Sequence, residues 1–266
     1  MKIEFTHLDL GAMEAISNLD TPLHRLDPRA KVVTTLVFIT CVVSFGRYEV
    51  SALMPFFLYP FILLAVGNLP VSYIAKRVLL VSPFAVLIGI FNPVLDTEVL
   101  IRIGSLPISG GWISFISIII RVLLTVGAAL ILIAATGFNS VCMALERMGV
   151  PRVFVMQLLF LYRYLFVLAD EASRMMRARS LRSFQGKGMG IRVFGSMAGN
   201  LLLRTLDRAQ RIHLSMLCRG FDGNIRLLKR MKLGWREAVF VLGWSAVFLF
   251  MRMIPLPRIL GQGFMS

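Results

Sequence analysis

Charge is scarce in this 266-residue chain: 16% of residues are charged, against about a quarter in soluble domains. Acid is scarcer still, with 14 Asp and Glu set against 29 Lys and Arg. The three cysteines, Cys41, Cys142 and Cys218, are dispersed, odd in number and free of any CxxC spacing, which excludes a disulfide framework or a zinc site. His7, His24 and His213 are equally scattered and form no HExxH pair, and the acids within the apolar runs are too few for a catalytic dyad. The stretch GKGMG (186–190) lacks the upstream glycine, the hydroxyl after lysine and the preceding buried strand of a phosphate loop. Fifteen methionines show no MxxM ladder and read as packing residues. No catalytic, nucleotide, metal or cofactor site is expected.

What is abundant is apolar surface. Hydrophobic residues make up 57% of the chain and mean hydropathy is +0.78, a surplus that needs lipid to hide in. The formal net charge of +15 then reads as positive charge retained on the cytoplasmic side of a membrane rather than as a nucleic-acid surface. The opening MKIEFTHLDLGAMEAISNLD is polar and mildly acidic, unlike a cleavable signal peptide. Asp27 followed by Pro28 is a helix start, with the carboxylate as N-cap and proline at the first helical position. Apolar runs follow at 30–45, 51–67, 79–95, 111–137 and 238–256, so five spans are expected. Arg121 lies inside the fourth; an arginine at that depth faces the bundle interior or snorkels to the interface.

A further run, 153–169, is interrupted by Gln157 and Arg163, and charge decides its reading. Arg25, Arg29 and Lys31 precede the first span, and Lys76 and Arg77 separate the second from the third. The loop 96–110 carries two acids and one base. That bias puts the N-terminus inside, and four spans return the chain to the cytoplasm near residue 138. Residues 171–237 hold fifteen Lys or Arg against four acids. Were 153–169 to cross the bilayer, this basic region would lie outside, so the run is read as a long helix beneath the bundle. The basic region then divides into a helix reaching about Arg182, a glycine-rich break at 183–190, and a second helix from about Val193 to Arg219, stopped by Gly220 and Gly223.

Each of these helices ends on an arginine flanked by small residues: Ala178, Arg179, Ser180 in one, and Cys218, Arg219, Gly220 in the other. A cation in the last turn suits the helix dipole, which alone explains either arginine. It does not explain why the small collar recurs forty residues later.

The pair of collars, LHRLDPRAK (23–31) with its His24, Arg25, Asp27, Pro28 and Arg29, and LYRY (161–164) resemble the transmembrane T component of energy-coupling factor transporters. Within that family the chain is most similar to the cobalt-transport subunit CbiQ and its nickel counterparts. The resemblance covers nearly the whole chain and implies the following. The fold is an all-α polytopic membrane protein of a bacterial or archaeal plasma membrane, with about five spans plus long cytoplasmic coupling helices. The two small–Arg–small motifs dock on two ATP-binding cassette ATPase subunits (CbiO-like). A separate metal-binding S component (CbiM-like), with a small accessory membrane subunit (CbiN-like), captures cobalt or nickel. The T component itself is non-catalytic.

On this reading residues 1–29 are a polar leader, 30–137 the first four spans, 138–237 the coupling domain, and 238–266 the last span and tail. A T component for vitamin cargo is the nearest alternative. A conventional ABC permease would be expected to show one coupling loop and polar groups along several spans. A membrane enzyme needs a constellation of acids, histidines or cysteines at the membrane face. A purely lipid-binding basic surface leaves the repeated collars unexplained.

Overall fold

The computed structural model describes residues 21–95, 99–103, 106–182, 190–223 and 234–253. In chain order these form α1 (Pro22–Arg25), α2 (Pro28–Val43), α3 (Val50–Gly67, with a 3-10 turn at Met54–Phe57), α4 (Val71–Gly89) and α5 (Asn92–Leu95). The strands β1 (Val99–Ile103) and β2 (Leu106–Ser109) follow, and then α6 (Gly110–Thr136), α7 (Phe138–Arg147), α8 (Arg152–Arg182), α9 (Ile191–Cys218) and α10 (Trp235–Met253). The leader to residue 20, the glycine-rich break apart from Gly190, and the tail from 254 lie outside the described residues. The architecture is all-α, with one short antiparallel hairpin, β1–β2, inside the 96–110 segment read from sequence as a loop.

The chain divides into two compact units. One holds the elements from α1 through α7 up to Ala144, together with α10; the other holds residues 145–230, with α8 and α9. In the first unit α6 packs against α2, α3 and α4, and α10 packs against α2. The helix starts follow local chemistry. Asp27 Oδ1 accepts from the Arg29 amide at 2.9 Å and Pro28 opens α2, as the sequence predicts. Between α2, α3 and α10 an aromatic cluster fills the core: the Phe38 ring centroid lies 4.7 Å from Tyr59 and 5.3 Å from Phe248. Trp244 stands edge-on to Tyr59 at 5.0 Å. Lipid tails are as apolar as these side chains, so packing and ring geometry hold the bundle, at about 0.5–1.5 kcal/mol for each aromatic pair. The buried Tyr59 hydroxyl is matched by Thr35 Oγ1 at 3.1 Å.

Four described helices are long and apolar enough to cross a membrane: α3, α4, α6 and α8. This revises one span boundary. The third span begins at Val71, not 79, because Lys76 and Arg77 lie within the helix. Arg77 lays its guanidinium over the Tyr73 ring, 5.2 Å from the centroid, so its stem covers apolar surface and the charge does not break the span. The first expected span is the 16-residue α2, short for a straight crossing. The last, α10, carries Arg236, Glu237 and Arg252 near its ends. Both nevertheless pack into the bundle. The fourth helix of spanning length, α8, is the one that charge distribution placed beneath the membrane.

Candidate functional site

The second unit is a pair of long helices. Glu171 of α8 and Arg204 of α9 meet at 2.8 Å. A groove of about 420 Å³ between the helices is lined by Gln157, Tyr164 and Leu168 from α8, Leu206 and Met216 from α9, and Phe221 beyond it. Low-numbered residues of one helix face high-numbered residues of the other, so the two run antiparallel. Arg179 and Arg219 therefore lie on opposite sides of the Glu171–Arg204 contact.

Both arginines and both collars are exposed, but their backbones differ. Ala178, Arg179 and Ser180 belong to the last turns of α8, which continues to Arg182, and Ser180 Oγ donates to the Arg177 carbonyl at 2.8 Å. Arg179 projects from a regular helix. Arg219 instead caps α9 (φ −93°, ψ 13°), and Gly220 follows in the left-handed region at φ +74°. The Gly220 amide donates to Leu217 O at 2.9 Å and the Phe221 amide to Met216 O at 3.0 Å. These are the paired bonds of a Schellman ending. Gly220 thus has a structural reason to be small, a backbone angle that a Cβ would strain.

The N-terminal signature lies in the first unit and is mostly buried. Thr21 Oγ1 and His24 Nδ1 are 2.6 Å apart. Asp27, only 4% exposed, is committed through Oδ1 to the Arg29 amide, while Arg29 Nε stands 4.0 Å from the same oxygen. Arg25 is one of the two basic residues in the last turn of α1, and Pro28 is buried at the start of α2. Lys31, read from the sequence only as a cation preceding the first span, lies within α2 and donates from Nζ to the Ala135 carbonyl at 3.0 Å. The signature thus ties the start of α2 to the end of α6. A lysine one turn into an otherwise apolar helix was the available clue. Among the described residues, no three His, Cys, Asp or Glu side chains are grouped to hold a metal ion.

Two further arginines act at the other end of α2. Arg121 of α6 donates to Phe45 O at 3.1 Å and Gly46 O at 3.2 Å. Arg252 of α10 donates to Ser44 O at 3.0 Å, lies over the Phe45 ring at 4.3 Å, and approaches Glu49 at 3.8 Å. The intramembrane arginine noted in the sequence is therefore a turn clamp that bonds the Phe45 carbonyl and adds a second donor to that of Gly46, which also accepts from the Glu49 amide at 3.3 Å.

Residues 20–231, spanning both the buried signature and the two exposed arginine motifs, match the CbiQ family, described as cobalt transport protein. The chain belongs to that family. It is 28% identical over 239 residues to an uncharacterized protein of Methanocaldococcus jannaschii, covering 86% of this chain and 81% of the relative. It is 28% identical over 253 residues to the energy-coupling factor transporter transmembrane protein EcfT of Heliobacterium modesticaldum, covering 87% of this chain and 92% of that one. A shorter match, 32% over 108 residues, links it to the cobalt transport protein CbiQ of Salmonella typhimurium, covering 40% of this chain and 48% of that one. Membership makes the chain a transmembrane subunit of a transporter. With three helices of spanning length in the first unit alone, it is a multi-pass membrane protein.

Proposed function

We propose that this CbiQ-family chain is the energy-coupling T subunit of an ECF-type ABC importer for cobalt or nickel ion. It transmits ATP hydrolysis by two CbiO-like ATPases to a CbiM-like S component that carries the metal, with a CbiN-like accessory subunit alongside. The observation that carries this reading is the pair of exposed small–Arg–small helix ends on opposite sides of one helix pair. A collar without bulk lets a helix end enter a groove, where a guanidinium makes several directed hydrogen bonds to carboxylates or carbonyls. Two ATPases require two such contacts. ATP binding draws the ATPases together, the coupling helices follow, and the S component reorients to release its ion inward. The coupling region, 138–237, lies on the cytoplasmic side with the leader 1–29, and the spans lie in 30–137 and 238–266. The charge excess of residues 171–237 supports that sidedness.

The test is capture of tagged ATPase subunits by the full chain, paired with metal uptake in cells. Arg179→Ala and Arg219→Ala should each weaken capture about 30-fold or more, the cost of leaving a buried partner charge unpaired. Lysine should restore only part, because a point charge lacks the planar fork. Arg192→Ala, also exposed, should leave capture intact. Normal capture and transport by the Arg179→Ala, Arg219→Ala double variant would reject the proposal.

A further inference from the structure

A groove of about 620 Å³ opens between α1, α3 and α10, all within the first unit. Ile62 and Val66 of α3 and Phe240 and Trp244 of α10 give it apolar walls. Trp244 is fixed in place by Tyr59, edge-on at 5.0 Å, and by Phe248, stacked at 5.6 Å, so that wall is preformed. Two arginines belong to the same lining: Arg25 at the end of α1 and Arg236, the second residue of α10. Both are exposed. Glu237, the one acid in the lining, accepts from the Gly234 amide through Oε2 at 2.9 Å and so caps α10. Arg236 makes no ion pair among the described residues. Two cations against one carboxylate leave the lining net positive.

The arginines stand where the apolar helices stop. Helix α3 ends at Gly67, directly after Val66, and α10 begins at Trp235, directly before Arg236. Trp235 is 83% exposed, and an exposed tryptophan at a helix end suits the membrane–water interface. From Arg236 to Trp244 the groove then runs eight residues along α10, about 12 Å at 1.5 Å per residue, into the hydrocarbon side. A cationic mouth at headgroup depth above an apolar trough has the polarity of a phospholipid. A soluble anion would leave the trough empty, and a plain hydrocarbon would leave the guanidinium groups unmatched. A phospholipid satisfies both, and in a bilayer it is the solvent of every open face.

We propose that the groove binds one anionic phospholipid, its phosphate between Arg25 and Arg236 and one acyl chain along Val66, Phe240 and Trp244. The inference needs the bundle to be in a bilayer and nothing of the transport reading. The test reconstitutes the full chain in vesicles of equal phosphatidylglycerol and phosphatidylcholine with identical acyl chains. The protein is then extracted in mild detergent and weighed intact by native mass spectrometry. The expected result is one retained lipid, phosphatidylglycerol preferred about five-fold, the bias one net cation near the membrane surface supplies. Arg236→Gln should keep a lipid and lose the preference. Lys76→Gln, which removes an exposed cation outside the groove, should leave the preference unchanged. Val66→Trp, which fills the trough from an exposed position, should lose the lipid. A photoreactive benzoylphenylalanine in place of Phe240 should capture lipid, and it decides the matter if Val66→Trp fails to accumulate. Equal lipid retention by wild type and Val66→Trp overturns the acyl-chain assignment. Absence of a preference in wild type, or its survival in Arg236→Gln, overturns the headgroup assignment. Capture at position 240 of a leader peptide of this chain, or of a second protein, would make the groove a peptide contact and defeat the proposal.

Discussion

The Lys31 ammonium donates to the carbonyl of Ala135, 104 residues away, at 3.0 Å. Lys31 is 4% exposed and Ala135 3%, and Ala135 belongs to the last turn of α6, where the helix dipole is negative. A buried ammonium costs several kcal/mol unless it is bonded, so the charge and the helix end stabilise one another.

Replacing Lys31 by methionine keeps the volume and removes the donor, leaving a buried carbonyl short of a partner. The expected loss is about 1–3 kcal/mol, read as a lower thermal midpoint of the purified protein in detergent. Lys31→Glu should be far worse, since it faces an acceptor with an acceptor, and should not accumulate in the membrane. An unchanged midpoint for Lys31→Met would mean that the ammonium contributes nothing net.

Arg121 and Arg252 hold the same turn from two helices, so their contributions should not add. Each single change to alanine is expected to cost about 1 kcal/mol, with Arg252, whose side chain is 35% exposed, toward the low end because solvent screens it. The double variant should lose less than the sum, with a coupling of about 0.5 kcal/mol or more. Strict additivity in a double-mutant cycle of thermal midpoints would show that the turn is not a shared element.

The thiols of α7 and α9 should separate by reactivity. Burial pushes the Cys142 thiol up to about 11, while Cys218 is exposed. In a Cys41→Ala background, maleimide at pH 8 should modify Cys218 promptly and Cys142 only on unfolding. The folded state favours the neutral Cys142 thiol, so its stabilising contribution is whole below about pH 9 and is lost as pH rises toward 11. Comparable labelling rates at both positions in the folded protein would contradict this.

Gly220→Ala should loosen the end of α9, since alanine pays about 1 kcal/mol or more at φ +74°. Hydrogen exchange at the amides of residues 220 and 221 should accelerate. Ser180→Ala, within a regular helix, should leave its surroundings unchanged. Steric blocking of the second collar is therefore better tested by Cys218→Leu, which adds bulk at a helical position without backbone strain. Unaltered exchange in Gly220→Ala would mean that the Schellman bonds do not hold that end.

Local chemistry was legible in the sequence. Asp27 and Pro28 announce a helix start, Gly220 announces a stop, and the spacing of Arg179 from Arg219 stands out unaided. The two motifs look alike as tripeptides, yet one is helical and the other a cap, because the difference lies in where the carbonyls of Met216 and Leu217 find donors. The true start of α4 was hidden by Lys76 and Arg77, which read as a loop only while their aliphatic stems are ignored. Least legible were the clamps. Arg121 to Phe45 and Arg252 to Ser44 join positions 76 and 208 residues apart, and nothing local in either partner names the other.

The Glu171–Arg204 contact has a mechanical consequence. Arg179 lies eight residues beyond Glu171 and Arg219 fifteen beyond Arg204, or about 12 Å and 22 Å along rods rising 1.5 Å per residue. A rivet that divides two rods so unevenly makes levers of unequal arm. On the proposed coupling role, the same displacement applied at each arginine would turn α8 through nearly twice the angle it turns α9, and a symmetric pull at the two tips would give an asymmetric stroke.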